Sequence, residues 1–208
     1  MAIEFRVAMD AEKMQGNSVL VFLRPIPPHR NNLIHAWQVL SVSEGTSESF
    51  EYDAVITTNV TSRRYPPHYI ISETMEVQPG SLLEVVSSSE LSAKLQMADS
   101  SLARDKLTPH QVGVINRTEP YIQLDCNWLV SGRPVVTMPD LEEGGCCTFE
   151  YEPNLYFGVA MPPLVGQCYD SHVFSNMTSY PIPTTTTEVF VTVSSNKGGW
   201  DFAFGEKI

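Results

Sequence analysis

Two proline-containing loops carry the residues of this chain that are best suited to contact a ligand. The first runs from Arg63 to Tyr69 and the second from Met161 to His172, and each combines consecutive prolines with tyrosine and histidine. A stiff loop that displays an aromatic ring loses little conformational entropy on contact. The alternative is that the prolines only end strands and the tyrosine rings cover the edge of the core. The candidate ligand-binding residues are Tyr65, His68, Tyr69, Tyr169 and His172.

Sequence patterns typical of catalysis or metal binding do not occur in this chain. The five histidines show no His-x-His or His-Glu-x-x-His spacing, which would place two ligands on one metal ion. There is no Gly-x-Ser-x-Gly nucleophile elbow, no phosphate-binding P-loop and no dinucleotide fingerprint. The sequence therefore predicts no catalytic residue, no metal site and no cofactor. A site assembled from distant loops stays open as an alternative.

All four cysteines lie in the second half of the chain, at Cys126, Cys146, Cys147 and Cys168. None forms a Cys-x-x-Cys pair, and two adjacent cysteines are poorly spaced for zinc. We expect them to be small buried hydrophobic side chains. A Cys126–Cys168 disulfide in an oxidising compartment is the alternative, and the sequence does not decide between the two.

A nine-residue frame occurs twice, at Glu44–Tyr52 and at Glu143–Tyr151, 99 residues apart. Each copy reads Glu-Gly, four small or polar residues, then Phe-Glu-Tyr, and each follows a tryptophan, Trp37 or Trp128. Internal repetition of this kind indicates a duplicated architecture. The frame also has a structural explanation, because glycine favours the turn and the two rings of Phe-x-Tyr point to one face of a strand. We expect these rings and both tryptophans to lie in the core.

Short apolar runs separated by turn signals predict that the chain is built from strands. Ile3–Met9 alternates apolar and polar residues, which is typical of a half-buried strand, and Ile34–Val42 is predicted to be another. Turn signals about every 8 to 12 residues favour an all-β sandwich or barrel. The linker 99–109 is the one segment predicted to form helical turns, with Asp99 or Ser100 as N-cap.

The predicted fold is all-β, with two tandem, internally duplicated β-sandwich units of immunoglobulin-like size packed together. Their predicted bounds are residues 1–98 and 110–208, joined by the linker 99–109. The alternative is one pseudo-twofold β-sandwich whose halves interleave. In that version the first strand is expected to pair with a C-terminal strand at residues 200–204.

The composition limits the kinds of partner that the protein can bind. The 208 residues carry a net charge of −11, which would repel nucleic acid and anionic membranes. No run approaches the roughly 20 apolar residues of a membrane helix, and the N-terminus lacks the pattern of a signal peptide, so we expect a cytoplasmic protein. Three Asn-x-Thr sequons, at Asn59, Asn116 and Asn176, would matter only on a secretory route.

The function predicted from these features is non-enzymatic binding of a small ligand, glycan or protein through loops at the strand ends, with a lectin-like mode as one form. Duplication favours binding, since two similar sites gain avidity without new contacts. One alternative is an enzyme with a loop-built site in the cleft between the repeats. The other is a membrane-active or self-assembling protein, and a homo-oligomer is compatible with either.

Overall fold

The computed structural model describes residues 2–9, 16–26, 29–62, 69–70, 72–89, 92–118, 123–164 and 166–206, and residues 69–70, 88–89, 92 and 206 by their backbone alone. The protein is mostly β, with 58% strand and 7% helix, and its strands form four open sheets. This confirms the prediction of a β-rich chain. None of the described helices is long and apolar enough to cross a membrane.

The described elements follow one another along the chain as short strands with two brief helices. In chain order they are β1 Ile3–Met9, β2 Ser18–Pro25, β3 Leu33–Ile34, β4 Gln38–Leu40, β5 Ser47–Tyr52, β6 Ile56–Ser62, β7 Tyr69–Ile70, β8 Met75–Glu76, β9 Leu82–Ser89, β10 Ser92–Met97, α1 Ser100–Lys106, β11 Val112–Asn116, β12 Leu124–Val130, β13 Arg133–Leu141, β14 Cys146–Phe149, β15 Tyr151–Ala160, the 3-10 helix Ser171–Asn176, β16 Thr178–Pro181, β17 Glu188–Asn196 and β18 Gly199–Glu206.

The chain divides into two compact units, and each unit is assembled from segments that are distant in sequence. Unit 1 comprises residues 1–24, 35–54 and 152–208, and unit 2 comprises residues 25–34 and 55–151. Both units therefore take segments from either side of the predicted linker. The tandem division at 1–98, 99–109 and 110–208 stays a prediction about repeats in the sequence.

Unit 1 contains two four-stranded sheets. The first has the order β18-β17-β1-β5, in which β1 runs parallel to β17 and antiparallel to β5. The second has the order β16-β15-β2-β4. The expected pairing of the first strand with residues 200–204 is wrong, because β17 lies between them: Phe5 pairs with Val189, and Val193 pairs with Phe202. The predicted strand Ile34–Val42 is also divided, since β3 belongs to unit 2 and β4 to unit 1.

Unit 2 repeats the strand order of the first sheet. Its sheet β10-β9-β11-β14 has the same orientations strand for strand, with β11 parallel to β9 and antiparallel to β14. The other sheet has the order β3-β13-β12-β6-β7, and β8 also pairs with β6. The predicted helical turns are confirmed as α1, which begins where the Asp99 carboxylate accepts a hydrogen bond from the Ser101 backbone N–H at 2.7 Å.

The repeated frame occupies the same place in both units, because Phe50 lies in β5 and Phe149 in β14. In unit 1 the edge of the Trp37 ring faces Phe50, with centroids 5.5 Å apart. In unit 2 Trp128 stacks on Phe149, with centroids 5.2 Å apart. Both tryptophans and both phenylalanines are buried, which confirms their prediction as core residues. Gly45 and its counterpart in the second copy have φ angles of 72° and 71°, as the turn requires.

Candidate functional site

The five residues predicted to bind a ligand are divided between the two units. Tyr65 and His68 fall outside the described residues, and Tyr69 is described by its backbone, which pairs β7 with Ser62 of β6 in unit 2. Tyr169 and His172 lie in unit 1. The second loop is therefore the one whose geometry can be followed.

The segment 161–177 connects β15 to β16 and contains the second loop together with the 3-10 helix. Asp170 caps this helix, because its carboxylate accepts a hydrogen bond from the His172 backbone N–H at 2.8 Å. The Ser175 hydroxyl donates to the His172 carbonyl at 2.9 Å. The cap fixes the backbone of His172 and leaves its side chain exposed to solvent.

Aromatic rings hold the segment 161–177 against the second sheet of unit 1. The edge of Tyr169 meets the Phe22 ring of β2, with centroids 5.2 Å apart and planes at 88°. Phe174 of the 3-10 helix contacts the same ring at 6.1 Å and Tyr156 of β15 at 5.0 Å. Burial raises the pKa of the Tyr169 phenol. Tyr169 therefore anchors the segment, and the anchor leaves the residues before it as the displayed part of the loop.

A charged network lies beside this anchor and was not predicted from the sequence. Arg24 Nη1 lies 3.4 Å from Glu152 Oε1, and the guanidinium lies over the Phe174 ring at 5.6 Å from its centroid. The Tyr156 hydroxyl donates to the other carboxylate oxygen of Glu152. Burial, reinforced by this hydrogen bond, raises the pKa of Tyr156. The arginine charge is thus already paired, and the network braces β2 against β15.

His35 and Cys168 make a contact whose residue types resemble a nucleophile and its base. Cys168 Sγ lies 3.7 Å from His35 Nδ1 and 3.6 Å from the Gly166 carbonyl oxygen. Burial lowers the pKa of His35 and raises the pKa of Cys168, so both side chains are pushed towards their neutral forms. An activated cysteine needs the opposite shift of its thiol. The pair therefore ties the loop to the chain before β4.

The first residues of the segment form an exposed apolar tip, defined here as Met161, Pro162, Pro163 and Leu164. The side chains of Met161 and Leu164 are 75% and 79% exposed. Gln167 closes the turn behind them, since its side-chain oxygen accepts from the Leu164 backbone N–H at 3.0 Å and its own N–H donates to the Leu164 carbonyl at 2.9 Å. Two hydrogen bonds thus hold the last residue of the apolar tip, and two prolines restrict the backbone before it.

Among the described residues, no three His, Cys, Asp or Glu side chains are grouped so that they could hold a metal ion. No protein-family model, no curated protein and no solved structure matches this chain. The basis for a functional inference is therefore the arrangement of its own side chains.

Proposed function

We propose that this protein is a non-enzymatic binding protein that contacts a protein partner through the apolar tip of unit 1. The observation that carries the proposal is the exposure of Met161 and Leu164 beside two prolines, with Leu164 held to Gln167 by two hydrogen bonds. Single exposed apolar residues are ordinary on protein surfaces. Two of them within four residues, separated by two prolines, support an interaction site, because exposed apolar residues that cluster mark such sites.

The way in which the apolar tip is braced supports binding over a purely structural role. A loop that only connects β15 to β16 gains nothing from holding large apolar side chains in water. The prolines, Gln167 and the Tyr169 anchor restrict the backbone before any partner arrives, so less entropy is lost on contact. Methionine is enriched in interfaces because its flexible side chain adapts to the facing surface.

The charge of the chain favours one class of partner surface. A net charge of −11 gives the protein a negative field that accelerates encounter with a basic surface and slows encounter with an acidic one. The partner that fits is therefore a protein with an apolar pocket bordered by lysine or arginine. A second copy of this chain fits less well, because two chains that each carry a net charge of −11 repel each other.

The fold that the proposal assigns is a duplicated pair of β-sandwiches. The matching orders β18-β17-β1-β5 and β10-β9-β11-β14, with the same parallel pair in each, support duplication. Ring contacts between sheets support sandwich packing in unit 1, where Tyr180 of β16 stacks on Phe204 of β18 at 4.3 Å. The repeats predicted at 1–98 and 110–208 would then exchange strands to build the two units. The cytoplasm stays the proposed compartment.

The enzyme alternative has one specific observation in its favour, the 3.7 Å contact of Cys168 with His35. The two pKa directions argue against it, because they favour the neutral thiol and the neutral imidazole. Rapid reaction of Cys168 with iodoacetamide at pH 7 in the folded protein, abolished by His35→Gln, would bring this alternative forward.

A site-specific photo-crosslinker at position 164 tests the proposed binding surface. The full chain with benzoylphenylalanine in place of Leu164 is irradiated in extract of its native source, and the crosslinked protein is identified and purified. Affinity is then measured by calorimetry for the wild type and for Met161→Ser and Leu164→Ser. We expect each variant to weaken binding by about tenfold, which corresponds to roughly 1.4 kcal/mol.

The matched control is Met97, which is 53% exposed in β10 of unit 2 and has no braced loop around it. The crosslinker at position 97 should not capture the same protein, and Met97→Ser should leave its affinity unchanged. Equal capture at both positions, or unchanged affinity in both tip variants, would remove the apolar tip from the proposal. Capture of the chain itself would point to self-assembly.

A further inference from the structure

Two cysteines of unit 2 face each other from strands that belong to different sheets. Cys126 lies in β12 and Cys147 in β14, and the two thiols are close enough for Cys126 to raise the pKa of Cys147. Two residues further along the same strands, Trp128 stacks on Phe149 with ring planes at 13°. Because alternate residues of a strand point to one face, both contacts belong to the same pair of facing surfaces. The two cysteines therefore lie on the same facing surfaces as the stacked rings of Trp128 and Phe149.

The neighbouring cysteine, Cys146, points away from this interface. It packs beside Ile115 against the cluster formed with α1, where Leu82 and Ala103 are buried. Since adjacent strand residues face opposite sides, Cys146 and Cys147 cannot both face β12. This assigns a single partner to Cys126 within unit 2.

The remaining cysteine has a different environment. Cys168 belongs to unit 1, where its thiol contacts His35. All four cysteines are free thiols in this structure. The Cys126–Cys168 disulfide left open by the sequence is thus absent, and the contact geometry favours Cys147 as the partner of Cys126.

The surroundings of the pair suit a structural bond better than a reactive site. The Cys126 side chain is fully buried, and its sulfur lies 3.5 Å from the Thr58 hydroxyl. The interaction with Cys126, followed by burial, raises the pKa of Cys147 well above its usual value. By solvent exposure Cys126 is buried and Cys147 is half-buried. A thiol that is held in its neutral form reacts slowly with solutes. Oxidation should therefore take place while the chain folds or when the unit opens locally.

We propose that Cys126 and Cys147 are an oxidation site that forms a disulfide between the two sheets of unit 2 in the presence of a small-molecule disulfide. One cysteine thiolate attacks the small disulfide, so that a mixed disulfide forms and one small thiolate leaves. The second cysteine thiolate then attacks the protein sulfur of the mixed disulfide and releases the second small thiolate. Two protein thiols are oxidised and one small disulfide is reduced to two thiols.

Oxidative refolding of the full chain tests this inference. The reduced, unfolded protein is refolded with a mixture of reduced and oxidised glutathione, and the pairing is read by mass spectrometry of the non-reduced digest. We expect a crosslink between the peptides that contain Cys126 and Cys147. The closed loop of about 22 residues should raise Tm by about 5–10 °C relative to the reduced protein.

Single substitutions separate this pair from the other cysteines. Cys126→Ala and Cys147→Ala should abolish both the crosslink and the rise in Tm, whereas Cys146→Ala and Cys168→Ala should keep both. Where refolding fails, the folded protein is incubated with oxidised glutathione a few degrees below its transition and digested in the same way. The proposal is wrong if neither route links Cys126 to Cys147, or if the linked protein gains no Tm.

Discussion

The two units build the same aromatic core from different strands. Trp37 of unit 1 lies just before β4, which is the edge strand of its sheet, whereas Trp128 of unit 2 lies inside β12. Their ring geometries differ accordingly, with planes at 88° to Phe50 in unit 1 and at 13° to Phe149 in unit 2. In each unit one indole thus packs against the phenylalanine of the Phe-x-Tyr strand. The residue just before β4 supplies this indole in unit 1, and β12 supplies it in unit 2.

Positions that correspond by register differ more than the aromatic residues do. Phe5 pairs with Phe50 and Val112 pairs with Phe149, so β1 and β11 can be aligned on these pairs. On that alignment buried Met9 corresponds to buried Asn116. The two units therefore share a strand order but differ in the side chains that pack at corresponding positions. Substituting the residue of one unit at the corresponding position of the other measures how much stability depends on these differences.

Removal of either indole should have the largest effect on stability. Trp37→Ala and Trp128→Ala each leave a cavity beside a buried phenylalanine, and each should lower the free energy of unfolding by about 3–5 kcal/mol. Urea denaturation followed by circular dichroism gives the values. Trp200→Ala is the matched control, because Trp200 in β18 is only half-buried, and it should cost clearly less.

The two tryptophans can be told apart by a smaller change. The Trp128 indole nitrogen is buried and has no hydrogen-bond partner among the described residues. Trp128→Phe removes that unpaired donor, which offsets part of the packing loss, so it should cost less than Trp37→Phe. Equal losses of stability in Trp37→Phe and Trp128→Phe would contradict a role for the unpaired indole nitrogen. Losses in Trp37→Ala and Trp128→Ala no larger than in Trp200→Ala would contradict the view that both indoles fill the core.

Exchange of a corresponding residue between the units should have the next largest effect. Asn116 donates to the Leu141 carbonyl at 3.0 Å and accepts from the Thr118 backbone N–H and hydroxyl at 2.9 and 2.7 Å. Asn116→Met, which imports the residue of unit 1, leaves these buried groups without partners. We expect a loss of about 2–4 kcal/mol in urea denaturation. Met9→Leu is the control and should cost less; full stability of Asn116→Met would show that the positions are interchangeable.

The same network explains one of the Asn-x-Thr sequons as a structural motif. Asn116 is fully buried, and its partner Thr118 is the third residue of the sequon. Asn59 and Thr61 form a second such pair, since both are buried and both accept hydrogen bonds from the Asn127 side-chain amide. The spacing that would mark a glycosylation site in an exposed loop here serves buried hydrogen bonds, between neighbouring strands at Asn59 and at the end of β11 at Asn116.

Local patterns predicted the features of this protein that depend on neighbouring residues. The alternation in β1, the glycine turns, the buried Phe50, Tyr52 and Phe149 of the repeated frame and the Asp99 cap are all of this kind. The fourth ring of the frame, Tyr151, was expected in the core and is only half-buried. The assembly of unit 1 from segments distant in sequence is different, because Phe5 pairs with Val189, 184 residues later, and nothing in either strand specifies that pairing. Parallel partners of this separation are chosen by the whole fold.

The candidate site shows the same division between local and long-range information. The sequence drew attention to the loop that carries Tyr169 because proline, tyrosine and histidine stand close together there. Tyr169 was a candidate for ligand contact, with packing at the edge of the core as the alternative, and its ring packs on Phe22. Arg24 and Glu152 were missed, since two opposite charges 128 residues apart give no local signal. The exposure of the apolar tip also depends on packing, which the sequence alone does not provide.

One pair of corresponding positions contrasts an open surface with a crowded one. Arg6 of β1 is exposed and pairs with Glu188 at 3.1 Å, whereas Gly113 of β11 lies under Leu82 and Leu107. A Cβ at position 113 would lie 2.9 Å from a methyl carbon of each leucine. Gly113→Ala should therefore cost about 1–2 kcal/mol in urea denaturation. Arg6→Ala is the matched control.

The expected result for Arg6→Ala is a change in Tm of less than about 2 °C, since an exposed ion pair contributes little and is screened by salt. A larger effect of Arg6→Ala than of Gly113→Ala would mean that the parallel strand pair of unit 1 depends on its charges. The close packing around Gly113 would then not be the main difference between the parallel pair β1–β17 of unit 1 and the parallel pair β11–β9 of unit 2.

Acid should destabilise the protein through His35 of unit 1, and this is the smallest effect that we predict. Burial lowers the folded pKa of His35 below its unfolded value, so above about pH 6.5 both states are neutral and its contribution is constant. As the pH falls below that value, the unfolded chain binds a proton first, and stability decreases by up to about 1 kcal/mol per pH unit until the folded pKa is reached.

Urea denaturation between pH 7.5 and 5 measures this slope for the wild type and for His35→Gln. We expect the variant to lose part of the slope, because glutamine has no proton to gain. His172→Gln is the comparison variant in the same unit, since that side chain is exposed on the 3-10 helix. An unchanged slope in His35→Gln would mean that His35 is no more costly to protonate in the folded unit than in the unfolded chain. The contact with Cys168 would then tolerate an imidazolium, which is the state that an activated thiolate requires.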